Sequence, residues 1–596
     1  MPQYKAPLRD VRFLLNEVFD YEGHYKSLPN GEEATPDMVD AILEGCATFC
    51  EEVLAPLNLS GDLEGCTFKD GEVTTPKGFK EAYAEYVAGG WQGLSHPKEY
   101  GGQEMPMSLN LLKSEMMGTA NWSFTMYPGL SLGCMNTIFQ FGNTEQKATY
   151  MPPLVSGEWT GTMCLTEPQC GTDLGLVKTK AVPQADGSYK ITGTKIFISS
   201  GDHDLTENII HLVLARTPDA PEGVKGISLF IVPKFLINDD GSLGARNDAH
   251  CVSIEHKLGI KASPTAVLQF GDHGGAIGTL VGEENRGLEY MFIMMNAARF
   301  GVGMQGIAVA ERAYQKAVSY AKDRVQSRDL AGSPGPVAII NHPDVRRMLM
   351  TMRAYNEGCR ALSAWVSRAL DAEKHSPEPE VRQRASDFIA LMTPVVKALF
   401  TDLAFDSANL AVQCYGGHGY IRESGVEQYA RDARITMIYE GTNGVQALDL
   451  VGRKLGAHMG RYLRSFFHPV SAFIEENNVD GPMKPMIEAL AKAFGALQLS
   501  TATVAQRALK DPEEAGAASA DYLRLMGLVA MGYCFAKATK IAGLQLFFGS
   551  EDKRFYDAKI KTATFFFERI LPQATASFLA IKAGKKSLMA LEDDVF

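Results

Sequence analysis

The stretch SYKITGTKIFISSG, residues 188–201, decides the fold. It carries β-branched and aromatic residues between glycines, and it has no helical period. Strand alternation predicts Ile196 and Ile198 on one face, with Phe197 and Ser199 on the other. Three more runs share its texture: NIIHLVLART (208–217), GISLFIVPKFL (226–236) and TAVLQFGD (265–272). Gly, Asp and Pro separate them at hairpin-like spacing. A mostly β domain is expected over 161–283.

Outward from that core the pattern turns helical. PDMVDAILEGCATFCEEVLAPLN (36–58) and TPKGFKEAYAEYVAGGWQGL (75–94) place apolar residues at helical spacing. They define an N-terminal helical domain, 37–160, preceded by an extension, 1–36. After the β domain, LEYMFIMMNAARFGVGMQGIAVAERAYQKAVSYAKDR (288–324) reads as one long helix or two in series. DLAGSPGPVAIINHP (329–343) breaks it with Gly and Pro. Two further helices complete a bundle domain, 284–454. A last helical region, 455–596, carries no chemical signature; packing and subunit contact are its expected roles, with a peripheral membrane face as the alternative. The fold class is α+β and multidomain: helical, β-barrel or sandwich, helical bundle, then an extra C-terminal helical domain.

The chain has 596 residues, 45% hydrophobic and 21% charged, with a formal net charge of −12. No Lys/Arg run exists, which argues against nucleic acid as a partner. The start, MPQYKAPLRDVRFLLNEVFD, lacks the basic and apolar regions of a secretory signal. No continuous apolar run reaches 18 residues, so no transmembrane segment is expected. Ten scattered Cys suit reduced thiols in a cytoplasmic protein. Cys46 and Cys50 share a helix face, but no second ligand pair follows, and no metal is expected.

Three stretches could carry chemistry. In GTMCLTEPQCGTDLG (161–175), Pro168 keeps Glu167 extended, Gly171 permits close backbone approach, and Thr166 and Thr172 offer hydroxyls. A plain β-turn explains the same letters. In GTKIFISSG (193–201), Phe197 and Ser199 could line a planar ring, or Phe197 could fill a sheet core. In AVQCYGGHGYIRESGVEQYARDARITMIYEGTNG (411–444), a Gly-rich turn at 416–419 exposes N–H groups suited to phosphate. Its spacing matches neither the P-loop nor the dinucleotide fingerprint. His418 has no partner at triad or metal spacing and reads as a turn residue. Glu440, between Tyr439 and Gly441, is either an exposed acid at a turn or a base held against a substrate.

Together, in this order, the three stretches resemble the acyl-CoA dehydrogenase family, flavin-dependent enzymes of fatty-acid β-oxidation. The likeness covers about 37–455 and includes GGWQGLSHPKEYGG (89–102) and EHKLGIKASPTAVLQF (255–270). The C-terminal extension is similar to that of the larger members, where it occupies the surface that smaller members use to form tetramers. That implies a homodimer.

The resemblance implies FAD as cofactor, an acyl-CoA substrate and electron-transferring flavoprotein as acceptor. It makes Glu440 the catalytic base. Some branches place the base before an Arg on an earlier helix; here that position is Ala298, before Arg299. Met163, Leu165 and Thr166 would run along the isoalloxazine, with Phe197 and Ser199 closing the other side. The family usually has Trp and Thr at those last two positions. Arg324, Gln326, Gln413 and Gly417 would serve the FAD of a partner subunit, and Thr442 that of its own. Thr172, Asn296 and Arg299 match CoA contacts, and Gly441 would leave room for the thioester. Ser327-Arg328 and Gly444 depart from the family pattern at the adenine end.

The implied reaction is α,β-dehydrogenation of the thioester to the trans-2-enoyl product. Glu440 would take the α-proton while flavin N5 accepts the β-hydrogen as hydride. A free Glu, with pKa ~4.3, is a feeble base for this task. Burial beside Tyr439 and substrate should raise it, and hydrogen bonds to the thioester carbonyl should acidify the α-carbon. The expected substrates are medium or long straight chains. Alternatives are 3-methylthiopropionyl-CoA, and an acyl-CoA oxidase that passes electrons to oxygen.

Overall fold

The computed structural model describes residues 4–596. The chain divides into two compact units. One comprises Thr48–Met105 and Ala120–Gly301; the other comprises the residues up to Ala47, Pro106–Thr119 and Val302–Phe596.

The first unit is built on an eight-stranded sheet. Its strands are β1 (Trp159–Cys164), β2 (Lys180–Pro183), β3 (Tyr189–Ser199), β4 (Asn208–Ala215), β5 (Ser228–Pro233), β6 (Ala249–Ile254), β7 (Thr265–Phe270) and β8 (Ala276–Leu280). The order is β6-β7-β3-β8-β5-β4-β1, with β2 paired to β3. Only β1 and β4 run parallel within this sheet. The hairpin-like spacing misleads for β3 and β4, which are neighbours in sequence but separated by β8 and β5 in the sheet.

Every residue of β4 and β5 is buried, because both sheet faces are covered. Leu212, Leu214, Leu229 and Ile231 pack with Cys134, Met135 and Ile138 of helix α1 (Trp122–Phe141). Val213, Ala215, Phe230 and Val232 pack on the opposite side with Ile191, Leu268 and Phe270. Each such side chain contributes roughly 1.5–3 kcal/mol on burial. The start of α1 is set by Asn121, whose Oδ1 accepts the Phe124 N–H at 3.2 Å.

The second unit is helical: α2 (Gly287–Asp323, from its Val302 onward), α3 (Pro343–His375), α4 (Pro379–Tyr415), α5 (Asn443–Asp449), α6 (Pro512–Phe547) and α7 (Lys553–Phe565). The run at 288–324 is thus a single helix. Proline occupies the first turn of α3, α4 and α6, where its missing N–H costs no helical bond. By length and composition, α4 and α6 could cross a membrane, but their most apolar windows are 78% and 83% buried inside the protein.

The N-terminal segment, read from sequence only as an extension, is built into this unit. Tyr21 Oη donates to the Ala364 carbonyl at 2.6 Å. Arg360, on α3, gathers Glu115 (2.6 Å), Asp10 (2.7 Å) and Glu311 (3.1 Å), while Lys559 of α7 pairs with Asp10 and with Glu357 (3.0 Å). Burial pushes the Asp10 carboxyl up, but Lys559 and Arg360 overcome it and hold the group at about 2. Among the described residues none of the ten cysteines forms a disulfide, and nine are buried.

Candidate functional site

In the sheet unit, the turn after β1 is closed in both directions. Glu167 N donates to Cys170 O, and Cys170 N to Glu167 O, each at 2.9 Å. The Glu167 carboxylate is buried. It accepts Lys195 Nζ (2.8 Å), Thr179 Oγ1 (2.6 Å), and the backbone N–H groups of Lys178 (2.7 Å) and Thr179 (3.0 Å). Burial alone would raise its pKa; Lys195 and these donors bring it down to about 2. Lys195, with no solvent exposure, also donates to the Leu165 carbonyl at 3.0 Å. The ion pair therefore clamps Leu165–Glu167 to β3, and Ile196 N completes the clamp by donating to Thr166 O at 2.9 Å.

The predicted alternation along β3 fails just beyond that clamp. Ala266 pairs with Ile198 and Leu268 with Lys195, so Ile196 and Phe197 together oppose the single residue Val267. This is a β-bulge. Phe197 takes φ = 58°, a left-handed conformation that a bulky residue rarely adopts. Lys195 and Ile198 turn inward, Ile196 is half-buried, and Phe197 stands 58% exposed. It does not fill the sheet core. Ser199 and Met163 are half-buried, and Leu165 is buried. An exposed ring beside the Thr166 strand end, with apolar neighbours and a retained backbone strain, fits one face of a flat tricyclic system. Thr172 is exposed on the loop beyond. Asn296 and Arg299 are linked on α2 by Arg299 Nη1 donating to Asn296 Oδ1 at 3.3 Å.

In the helical unit, Glu440 and Gly441 form a left-handed turn, with φ of 57° and 84°. Glu440 is half-buried. Its neighbour Tyr439 donates to Gln305 Oε1; burial, then the Glu440 charge, pushes the Tyr439 phenol well above its usual range, so it stays neutral. Gln446 Nε2 donates to the Glu440 carbonyl at 3.2 Å. A Cβ on Gly441 would lie 2.6 Å from that same nitrogen, so glycine is required there twice, by conformation and by space. At Gly444 the nearest atom to an added Cβ is 3.8 Å away, so that departure from the family pattern has no steric cause. Thr442 caps α5, its Oγ1 accepting Val445 N–H at 3.2 Å.

Sequence reading missed what holds this turn. Lys397 lies fully buried on α4. Its Nζ donates to the Gly441 carbonyl and to Asn443 Oδ1, both at 2.8 Å. Asn443 Nδ2 in turn donates to Thr401 Oγ1 (2.9 Å) and Asp402 Oδ1 (2.7 Å). A Lys in an otherwise apolar helical run was the only available signal. Two buried amide atoms beside the turn, Gln305 Nε2 and Gln446 Oε1, have no hydrogen-bond partner among the described residues.

The segments that carry the residues expected at the adenine end meet through three other side chains. Tyr320 of α2 stacks on Tyr415 of α4 at 4.0 Å and its Oη meets His418 Nδ1 at 3.0 Å. These contacts join the two segments carrying Arg324 and Gln326, and Gln413 and Gly417, all four exposed. His418 thus has a tyrosine partner. Elsewhere, on an exposed turn of the sheet unit, Asp248, His250 and His273 converge with ligand atoms within 4.8 Å of one another. Asp248 there already accepts the N–H groups of His273 and Gly275.

Four family models match consecutive segments: acyl-CoA dehydrogenase N-terminal domain (37–158), middle domain (162–273) and C-terminal domain (285–455), then acetyl-CoA dehydrogenase C-terminal like (466–592). The chain is 46% identical to 3-methylmercaptopropionyl-CoA dehydrogenase of Ruegeria pomeroyi, over 98% of this chain and 99% of that protein. It is 35% identical to the broad-specificity linear acyl-CoA dehydrogenase FadE5 of Mycobacterium tuberculosis, over the full length of both. The solved acyl-CoA dehydrogenase of Bacillus anthracis, complexed with FAD, shares the fold: the TM-score is 0.72 at 22% identity, over 98% of this chain and 92% of that one. Matches along the whole length, to whole proteins of one reaction class, place this chain in the acyl-CoA dehydrogenase family of FAD-dependent oxidoreductases.

Proposed function

We propose that this dehydrogenase acts on 3-methylmercaptopropionyl-CoA, with Glu440 as the base that removes the α-proton. The substrate rests on the 46% identity to the Ruegeria enzyme, sustained end to end. The base rests on one observation: a half-buried carboxylate held in a left-handed turn by two buried side chains, Lys397 and Gln446. An acid merely exposed at a turn needs no such clamp. FAD, when bound, accepts the β-hydrogen as hydride.

The protein's own residues do the rest. Left-handed geometry at Glu440 and Gly441 sets the directions of the carboxylate and of the adjoining backbone N–H. That N–H is the donor to the thioester carbonyl, stabilising charge as the α-proton leaves. Positioned base catalysis contributes on the order of 10² to 10⁴ in rate. Tyr439, kept neutral, walls the carboxylate without competing for its proton. Met163, Leu165, Thr166, Phe197 and Ser199 seat the flavin ring; Thr172, Asn296 and Arg299 contact the CoA. Arg324, Gln326, Gln413 and Gly417, exposed and joined by the tyrosine stack, serve the FAD of a second copy in a homodimer. Thr442 serves its own. Electron-transferring flavoprotein is the acceptor, and the enzyme works in the cytoplasm.

Medium- and long-chain straight acyl-CoA is the second reading, favoured by the full-length match to the mycobacterial enzyme of linear substrates. It would place the chain at the first step of β-oxidation. Anaerobic bleaching of the flavin across a C4–C18 panel (about that range) plus the methylthio thioester decides between them. Glu440→Gln should retain FAD, bind thioester and leave the flavin oxidised; rapid bleaching by that variant removes Glu440 from the role.

A further inference from the structure

The helical unit contains a cavity, about 360 Å³ in volume, whose lining includes none of the residues assigned above. Its walls come from the N-terminal segment, the end of α3, the start of α4, and α6. Phe19, Trp365 and Phe388 line it with apolar rings, beside the imidazole of His24. Trp365 packs against Phe388 with centroids 4.6 Å apart, so this wall is prebuilt. Three basic side chains line it as well: Arg368, Arg384 and Lys537.

Among the described residues no carboxylate lines the cavity. Asp371 lies behind the lining residue His24 at 3.2 Å, and it already accepts Ser108 N (3.0 Å) and Ser108 Oγ (2.5 Å). Arg368 donates only to a backbone carbonyl, that of Phe19, at 2.7 Å. Lys537 faces rings, with Phe19 at 5.3 Å and Tyr533 at 5.7 Å. Among the described residues neither forms a salt bridge, and Arg384 is exposed without one. Burial lowers the Lys537 pKa, and the like charges of Arg368 and Lys540 add to it. A chain with net charge −12 has gathered uncompensated cations around a ring-lined hollow. Like charges converging on a partly desolvated space raise the energy of the empty site, and an anion relieves it.

We infer that this cavity binds a small organic anion, with an apolar or aromatic body against Trp365 and Phe388 and a carboxylate or phosphate among Arg368, Arg384 and Lys537. The volume lies in the range of small-molecule sites, roughly 300–1,000 Å³. Because four separate chain segments form the walls, the ligand ties the N-terminal segment to α6 and stabilises the folded unit.

The test uses the FAD-loaded enzyme with its active site saturated by enoyl-CoA product. Calorimetric titrations with decanoate and with adenosine monophosphate separate a fatty from a nucleotide body, and inorganic phosphate probes the head alone. Saturable binding of either organic anion is expected, weakened about tenfold or more in Arg384→Gln/Lys537→Gln, unchanged in Arg464→Gln, and accompanied by a rise in Tm. Should the double variant fail to fold, Arg368→Gln carries the same expectation. Absence of saturable binding by both organic anions, equal affinity in the cavity variant, or phosphate binding as tightly as either overturns the inference.

Discussion

Lys397→Met is the most telling perturbation, because the lysine holds the Glu440 turn through Gly441 and Asn443 while the change leaves the carboxylate itself in place. The change keeps an apolar stem of similar length and deletes two donations, to Gly441 O and Asn443 Oδ1, both at 2.8 Å. A hydrogen bond from a charged donor contributes about 1.5–3 kcal/mol, and a buried acceptor left empty costs about 1–3 kcal/mol. Against that stands the left-handed conformation of Glu440, which costs about 1–2 kcal/mol relative to the right-handed regions. Without the clamp, a net loss of about 2–3 kcal/mol makes the strained turn a minority state. At 1.4 kcal/mol per factor of ten, flavin reduction by bound thioester should slow about 30- to 140-fold. The assay is anaerobic stopped-flow reduction at saturating substrate, with FAD content and circular dichroism as controls for folding. KM should move little, since the residues proposed to contact CoA, Thr172, Asn296 and Arg299, are elsewhere in the chain. A folded, FAD-loaded variant reduced within about twofold of the parent rate would refute the clamp.

Two other outcomes follow from the sheet unit. His203 and His211 are buried and hydrogen-bonded to Thr160 and Thr162. Burial holds both at about 3, below the unfolded value of ~6.5. The unfolded chain therefore binds more protons between those values, and stability is lost as pH falls through that window. Urea midpoints measured from pH 7 to pH 4 should drop, and a His203→Gln/His211→Gln protein should show a flatter slope. Phe197→Ala removes an exposed ring from a bulge, so the apoprotein Tm should change little, while FAD affinity should fall about tenfold. Equal FAD affinity in the two proteins would detach Phe197 from the cofactor.

Helix and strand content was legible because periodicity is local: apolar spacing names the element before any partner is known. The family was legible for a related reason, since its diagnostic stretches are contiguous loops whose letters must hold together. Residues such as Glu440 and Thr166 stood out there, while their proposed roles rest on chemistry still to be measured. What local pattern does not carry is pairing at a distance. Alternation gave Phe197 a definite face, but the bulge that turns it outward depends on register with β7, more than sixty residues on. Lys397 reaches Gly441 across 44 residues, and Arg360 reaches Asp10 across 350. A buried cation selects its partners only after the helices have packed and excluded water, when an unmatched charge becomes too costly to leave. Local pattern along the chain carries which elements form and which family they compose. Tertiary structure decided which of them are clamped, which backbone torsions are held in strain, and where uncompensated charge gathers, because each is settled by desolvation among segments far apart in the chain.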